Sequence, residues 1–394
     1  MDAAFDVGPD AASDLCSECD GPSTLPSLAE EGVCDRGAYA CPFDPAIVRV
    51  TSLADAGPGT FREAMQRVGP RVIIFDISGN IELASKITLD SARGCVHVAG
   101  QTAPGPVVIR GGIEFISADH VVLQHLAIQA EDEPHAMEFA GCEGVVLDHL
   151  TLTYGTLATL DFGTSTAASI SNSILIPVLQ APDTLQAYAA LGRGDTLFYR
   201  NLFSLHLQRA PFVSGSTRIY NNYLYGSSFR NMQLVADVRA AVVGNRTVSS
   251  LEEGPTAISP ILGVGGEWSD STVFVASNET DSRAETLVGL IPEEALVDSN
   301  PFAPRCSIEL ASTDTLLANV GSRPVERSAL ETSIVTQARS GTGVVLSRPD
   351  DGPGYTRVGT DTRALSAPDE PHEVLSSGYT RLEEWLHARA EMVE

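Results

Sequence analysis

The stretch HLQRAPFVSG, from His206 to Gly215, sets one arginine, Arg209, before an Ala-Pro pair and a Ser-Gly turn in a chain that is otherwise acidic. A guanidinium in that setting has three uses. It can pair with a nearby acid, it can offer a planar fork to a ligand carboxylate, or, if a site strips its proton, it can act as a base. The acids that could serve such a site are Asp148, Asp161, Glu138 and the run Glu131, Asp132, Glu133. A pair of carboxylates flanking a sugar linkage would suit hydrolysis, but Asp148 and Asp161 are too far apart in the repeat described below to act as one.

The composition narrows the partners. A formal net charge of −26 excludes a nucleic-acid backbone as ligand, since no basic stripe runs along the chain. Lys86 is the sole lysine and the remaining cations are arginines; arginines gathered in one groove could still bind an acidic sugar, so the global charge does not exclude a polyanionic ligand. No apolar run is long enough to cross a membrane. Residues 1–45 read as an Ala/Asp-rich spacer followed by a cysteine-containing segment, as expected of a secreted or cell-surface protein whose signal or lipoprotein anchor has been removed. Cys16, Cys19, Cys34 and Cys41 fall in that segment, either as two disulfides or as a zinc site; the odd total of seven cysteines leaves at least one thiol free.

The middle of the chain repeats. Short apolar runs broken by a polar residue align on Gly100, Gln124, Asp148, Asn172, Asn201, Asn222 and Asn245, with intervals of 24, 24, 24, 29, 21 and 23 residues. A period in the twenties defines a solenoid. Alternating strands with Asn or Asp at the turns, and no leucine-rich consensus, define a parallel β-helix over residues 46–300. The aligned Asn and Asp residues tolerate left-handed backbone and are expected to stack as a ladder. His125 and His149, also 24 apart, are expected to stack as a column. ADAGPGTFREAMQ predicts a short helix capped by Thr60, with Glu63 three residues on, closing the first coil. Residues 301–394 form a C-terminal extension in which RSALETSIVTQARSGTG and YTRLEEWLHARAEM predict helices. Trp385, Leu382 and Leu386 give the second an apolar face for packing on the solenoid.

Several segments resemble the pectate lyase superfamily of bacterial secreted polysaccharide lyases. They are VRVTSLADAGPGTFREAM, PRVIIFDISGNIEL, VHVAGQTAPG, VVLDHLTLTYGTLATLDF, FYRNLFSLHLQRAPFV and LLANVGSRPVERSALETSIV, in that order, covering Ala46 to the end of the chain. The resemblance implies an all-β, right-handed single-stranded parallel β-helix with an N-terminal capping helix and short C-terminal helices. It also implies β-elimination across C4–C5 of a uronic acid in an acidic polysaccharide such as pectate, Arg209 as base, and calcium as cofactor. Of the family's acidic positions this chain keeps Asp161, with Glu138 and Asp148 as further metal candidates. His135 stands where the family has an Asp, Leu157 and Ala158 where it has acids, and Phe212 where it has a second arginine. The resemblance therefore implies weak, substrate-dependent calcium binding, with His135, Arg193, Arg200 and Arg230 as substrate contacts if they face one groove. A non-catalytic glycan-binding or surface scaffold is the alternative, and a monomer is expected in either case.

Overall fold

The strand sequences explain the architecture. Arg71–Phe75 is buried along its whole length because alternate residues face two different cores. Ile73 and Phe75 point into the solenoid, while Val72 and Ile74 point outward beneath Leu382 and Leu386. The same alternation sends Leu175, Phe203 and Leu224 inward, and Ile174, Ile176, Leu202, Tyr223 and Tyr225 outward. Each such buried aliphatic or aromatic side chain is worth roughly 1.5–3 kcal/mol relative to exposure, so the outward rows demand cover.

The structure, a computed structural model, describes residues 34–177, 188–227, 230–249, 259–280, 286–302, 310–343, 346, 349–351 and 354–394. It is a parallel β-helix with three walls. Two of them share a continuous 18-stranded sheet and the third is a separate nine-stranded sheet. Val121–Gln129 and Glu143–Thr153 run unbroken around the corner between the first two walls. The third wall stacks Ile87–Leu89, Ile113–Ile116, Met137–Ala140, Ala158–Asp161, Tyr188–Gly192, Phe212–Val213, Met232–Val235, Ile261–Val264 and Val288–Gly289.

Helix α1 (Phe61–Gln66) closes the first coil as expected. Thr60 accepts from the Glu63 amide, and Phe61, Ala64 and Met65 complete the inner core. The buried Arg71 guanidinium donates to the carbonyls of Ala64, Met65, Gly69, Arg93 and Gly94, tying the helix C-terminus to the coil below. After the coils come α2 (Thr313–Asn319), α3 (Ala329–Ser340) and α4 (Arg381–Ala390). Leu316, Leu317, Leu330, Ile334 and Val335 of α2 and α3 cover the second wall; Leu382 and Leu386 of α4 cover the first. No such helical layer covers the third wall among the described residues.

Two sequence expectations change. The seven aligned residues occupy three columns, not one. Ala99, Gln124, Asp148 and Ser171 pair at the end of the first wall. The next column begins at Gly100 and, from His125 through His149, Asn172, Arg200, Asn221 and Gly244 to Ser277, takes a left-handed backbone. The third column is the asparagine ladder. The amides of Ser173, Asn201, Asn222 and Asn245 donate in turn to the side-chain oxygens of Asn201, Asn222, Asn245 and Asn278, at 2.9–3.1 Å. Insertions between coils made one polar break look like another. Second, Cys41 bonds Cys95 in the second coil and not a cysteine of its own segment. Cys142 is a free, buried thiol. Cys16, Cys19 and Cys306 lie outside the described residues.

Candidate functional site

The third wall presents rows of side chains one coil apart, so neighbours on successive strands sit about 4.8 Å from each other. One row reads Thr88, Glu114, Glu138, Asp161, Leu191, Phe212, Gln233, Leu262. Its upper part is acidic and its lower part is apolar and aromatic. Glu114, which the sequence reading missed, is held by Lys86 at 3.2 Å and by the Thr88 hydroxyl at 2.9 Å. Asp161 is buried; one oxygen accepts from the Gly163 amide at 2.7 Å and the other lies 3.4 Å from Arg193. Glu138 stands half-buried between Glu114 and Asp161.

Arg209 lies at the edge of this wall. Its carbonyl accepts from the amides of Ala189 and Ala190, and the next amide, Ala210, donates to Asn231 on the far side. Both flanking coils thus fix the backbone, which takes a left-handed φ of 58° at Arg209. For a residue with a Cβ that conformation costs roughly 1–2 kcal/mol and persists where surroundings impose it. The side chain is placed by aromatics. Its guanidinium carbon is 4.0 Å from the Tyr188 ring centre and 4.6 Å from that of Phe212. No described acid pairs with it, which sets aside the simple surface ion pair. Beneath it Ala158, Tyr188 and Leu191 form a small apolar cluster with Leu157 and Phe212. The positions that would be acidic in the resembled family are therefore its floor.

The structure distributes the remaining expected residues unevenly. Arg193 and Arg230 lie on the Arg209 side of the molecule. Arg193 follows the strand Tyr188–Gly192, and the Arg230 amide donates to Leu207 in the coil before it. His135 is buried, and its Nδ1 lies 2.9 Å from the Ala158 carbonyl, so it braces the wall instead of facing a ligand. Arg200 is separated from the groove. It belongs to the left-handed column of the opposite corner and stacks on Tyr199 at 4.9 Å. Asp148 is likewise separated from Asp161 and Glu138. It is buried in that same corner, with Ser171 and Asn172 donating to one oxygen and His149 bonded to the other. Burial alone would raise the Asp148 carboxyl, but the charge and hydrogen bond of His149 outweigh it and hold it well below the usual carboxylate range. A groove cation would thus have Asp161, Glu138 and the added Glu114, and not Asp148. The expected His125–His149 stack is present, with ring centres 4.8 Å apart and planes within 13°.

With this geometry in view, the fold can be compared with known structures. It is similar to Jun a 1, the major allergen from cedar pollen, with 16% identity over 79% of this chain and 99% of that one, at a TM-score of 0.52. A pectate lyase from Bacillus subtilis matches 80% of this chain and 95% of its own at 11% identity and a TM-score of 0.48. One from Paenibacillus matches 70% and 91% at 11% identity and 0.46. No family model matches the sequence, and no curated protein matches it by sequence. The chain has the fold of the pectate lyase superfamily, a parallel β-helix. At these identities the likeness is one of fold, and the site's chemistry rests on its own residues.

Proposed function

We propose that the third wall binds an acidic, uronic-acid-containing polysaccharide, with Arg209 as the cation that meets its carboxylates. One observation carries this reading: a guanidinium without an acid partner among the described residues, fixed between two aromatic faces at the edge of a wall that no described helix covers. Aromatic faces stabilise a cation by about 0.5–2 kcal/mol and leave its N–H edge for a planar carboxylate. The apolar cluster around Tyr188 and Phe212 suits the C–H faces of sugar rings. Arg193 and Arg230 extend the positive edge. The Cys41–Cys95 disulfide accords with an exported protein, and no described helix is long and apolar enough to cross a membrane.

Elimination is the second reading, favoured by the position of Arg209 before Pro211, where the resemblance puts the base. It asks Arg209 to take the C5 proton, which requires the guanidinium to give up its own proton first. The two flanking rings work against that, since they favour the cation. Calcium fits this wall only in part. Glu138 and Asp161 would hold it, with Glu114 one coil beyond Glu138 in the same row, but Asp161 is already bonded to Gly163 and Arg193. Calcium takes six to eight oxygens, so ligand oxygens would have to complete the set. When bound it would neutralise a uronate carboxylate.

A single experiment separates the readings. The protein is mixed with polygalacturonate and other uronate polymers, with calcium and with chelator. Binding is followed by calorimetry and the unsaturated product by ultraviolet absorbance. Binding without product supports the binding groove, and product that Arg209→Ala abolishes establishes the lyase. Neither signal across the panel overturns both.

A further inference from the structure

The corner opposite the groove holds a second cluster that the proposed function does not use. His125 is fully buried, and its Nδ1 lies 3.0 Å from the Ser322 carbonyl. That nitrogen must carry the proton, because a carbonyl cannot donate. Nε2 is then a bare lone pair, and it has no hydrogen-bond partner. What faces it, at 3.7 Å, is another acceptor, Glu394 Oε1. The same Glu394 oxygen lies 3.8 Å from His149 Nδ1, which is 2.9 Å from Asp148 Oδ2. One ligand atom from each of these residues lies within 4.8 Å of every other.

A buried imidazole lone pair without a donor, facing the partly exposed Glu394 carboxylate across a gap, is unfavourable unless a cation sits between them. A proton there would have to leave Nδ1 or sit on the carboxylate. A divalent ion needs neither. Bonds of about 2.0–2.2 Å in a tetrahedral set place ligand atoms roughly 3.3 Å apart, close to the His125–Glu394 separation. An imidazole nitrogen with two carboxylates suits a first-row transition ion better than calcium, which prefers an all-oxygen shell.

We infer that His125 Nε2, Asp148 Oδ2 and Glu394 Oε1 form a binding site for a divalent first-row transition metal of the zinc class. His149 is the positioning residue. The near-parallel stack of the two rings prevents both from facing one ion edge-on, so His149 keeps its bond to Asp148 and orients that carboxylate. Ser171 and Asn172 fix the other Asp148 oxygen. Glu394 is the most exposed member, with a side chain 39% accessible, and is the one that moves to close the site. Its amide donates to Ala390, so a bound ion fastens the end of α4 to the corner of the solenoid. The site is independent of the groove, and its test does not depend on glycan binding.

The test uses the full chain, metal-stripped, titrated with Zn2+ by calorimetry in excess calcium, and with Co2+ followed by visible absorption. The site requires one equivalent of Zn2+ bound, a Co2+ spectrum of low coordination number, and a loss of at least tenfold in affinity in Glu394→Gln. That substitution leaves the buried side chains in place, so loss of binding with an unchanged circular dichroism spectrum reports on the ligand and not on folding. Anomalous scattering at the zinc edge should place the ion between His125 and Glu394. Absence of binding, equal affinity in Glu394→Gln, or an ion located elsewhere overturns the inference.

Discussion

The two sides of the solenoid treat polar side chains in opposite ways. In the corner from Ser173 to Asn278, each asparagine oxygen takes an amide from the coil before it. The side-chain nitrogens of Asn201, Asn222 and Asn245 donate to carbonyls inside the turn. The asparagine side chains of this ladder leave nothing for a ligand. On the third wall, Arg209 is held by rings, Glu138 stands between two other acids, and Arg193 reaches Asp161 only at 3.4 Å. Where asparagines line it, a corner that must turn the chain sharply on every coil saturates its hydrogen bonds; in the earlier coils, at His125, it does not. A flat wall with no helical cover can leave charge available. In so regular a fold, function is found where the satisfaction stops.

That contrast can be broken or sharpened by experiment. The largest effect comes from pH, because each side contains a histidine buried in its neutral form. Burial pushes His97 and His206 down to about 4, against partial compensation from Gln124 and Asn231 respectively. The unfolded chain binds protons at these residues from about pH 6.5 downward and the folded chain does not. Stability is therefore lost as pH falls from about 6.5 toward 4, by on the order of 3 kcal/mol per histidine. Thermal melts of the wild type and of His206→Gln across that range check it, and the variant should show the shallower slope.

Asn222→Ala is expected to cost about 3 kcal/mol, since it takes the side-chain acceptor from the Asn201 amide and the Asn222 donor from the Phe198 carbonyl in a buried turn. Urea titration measures this, and a cost under about 1 kcal/mol would mean the ladder is not what holds the corner. Arg209→Ala is expected to weaken uronate binding tenfold or more, equivalent to about 1.4 kcal/mol, with little change in melting temperature. Tyr188→Leu removes one of the two rings and should weaken binding a few-fold, about 0.5–1 kcal/mol. Arg200→Ala, in the corner, should leave affinity within about twofold, because its side chain lies against Tyr199 on the wrong side of the molecule.

Much of the fold was legible in the sequence because its signals are local. Thr60 with Glu63 marked α1, and the Ser328–Glu331 and Thr380–Glu383 capping boxes start the two helices expected after the coils. The His125–His149 column followed from spacing alone. What escaped depends on register. Asp148, Asn172 and Asn201 each interrupt an apolar run, yet they fall at the end of the first wall, the left-handed turn and the ladder respectively. A shift of one residue is invisible when coil lengths vary and flips every side chain it touches. The same limit hid the separation of Asp148 and Arg200 from the groove. Glu114 did carry a signal, since it precedes Glu138 by 24 residues, the period of the repeat. Helix α2 carried little, being seven residues long with only Leu316 and Leu317 buried.

The central claim is that Arg209, and not a metal centre, makes the third wall a site for acidic polysaccharide. Its most direct test is a calorimetric titration of wild type and Arg209→Ala with polygalacturonate oligomers in the presence of chelator. The account predicts saturable binding to the wild type and a loss of at least tenfold in the variant. No binding, or equal binding by the two proteins, would contradict it.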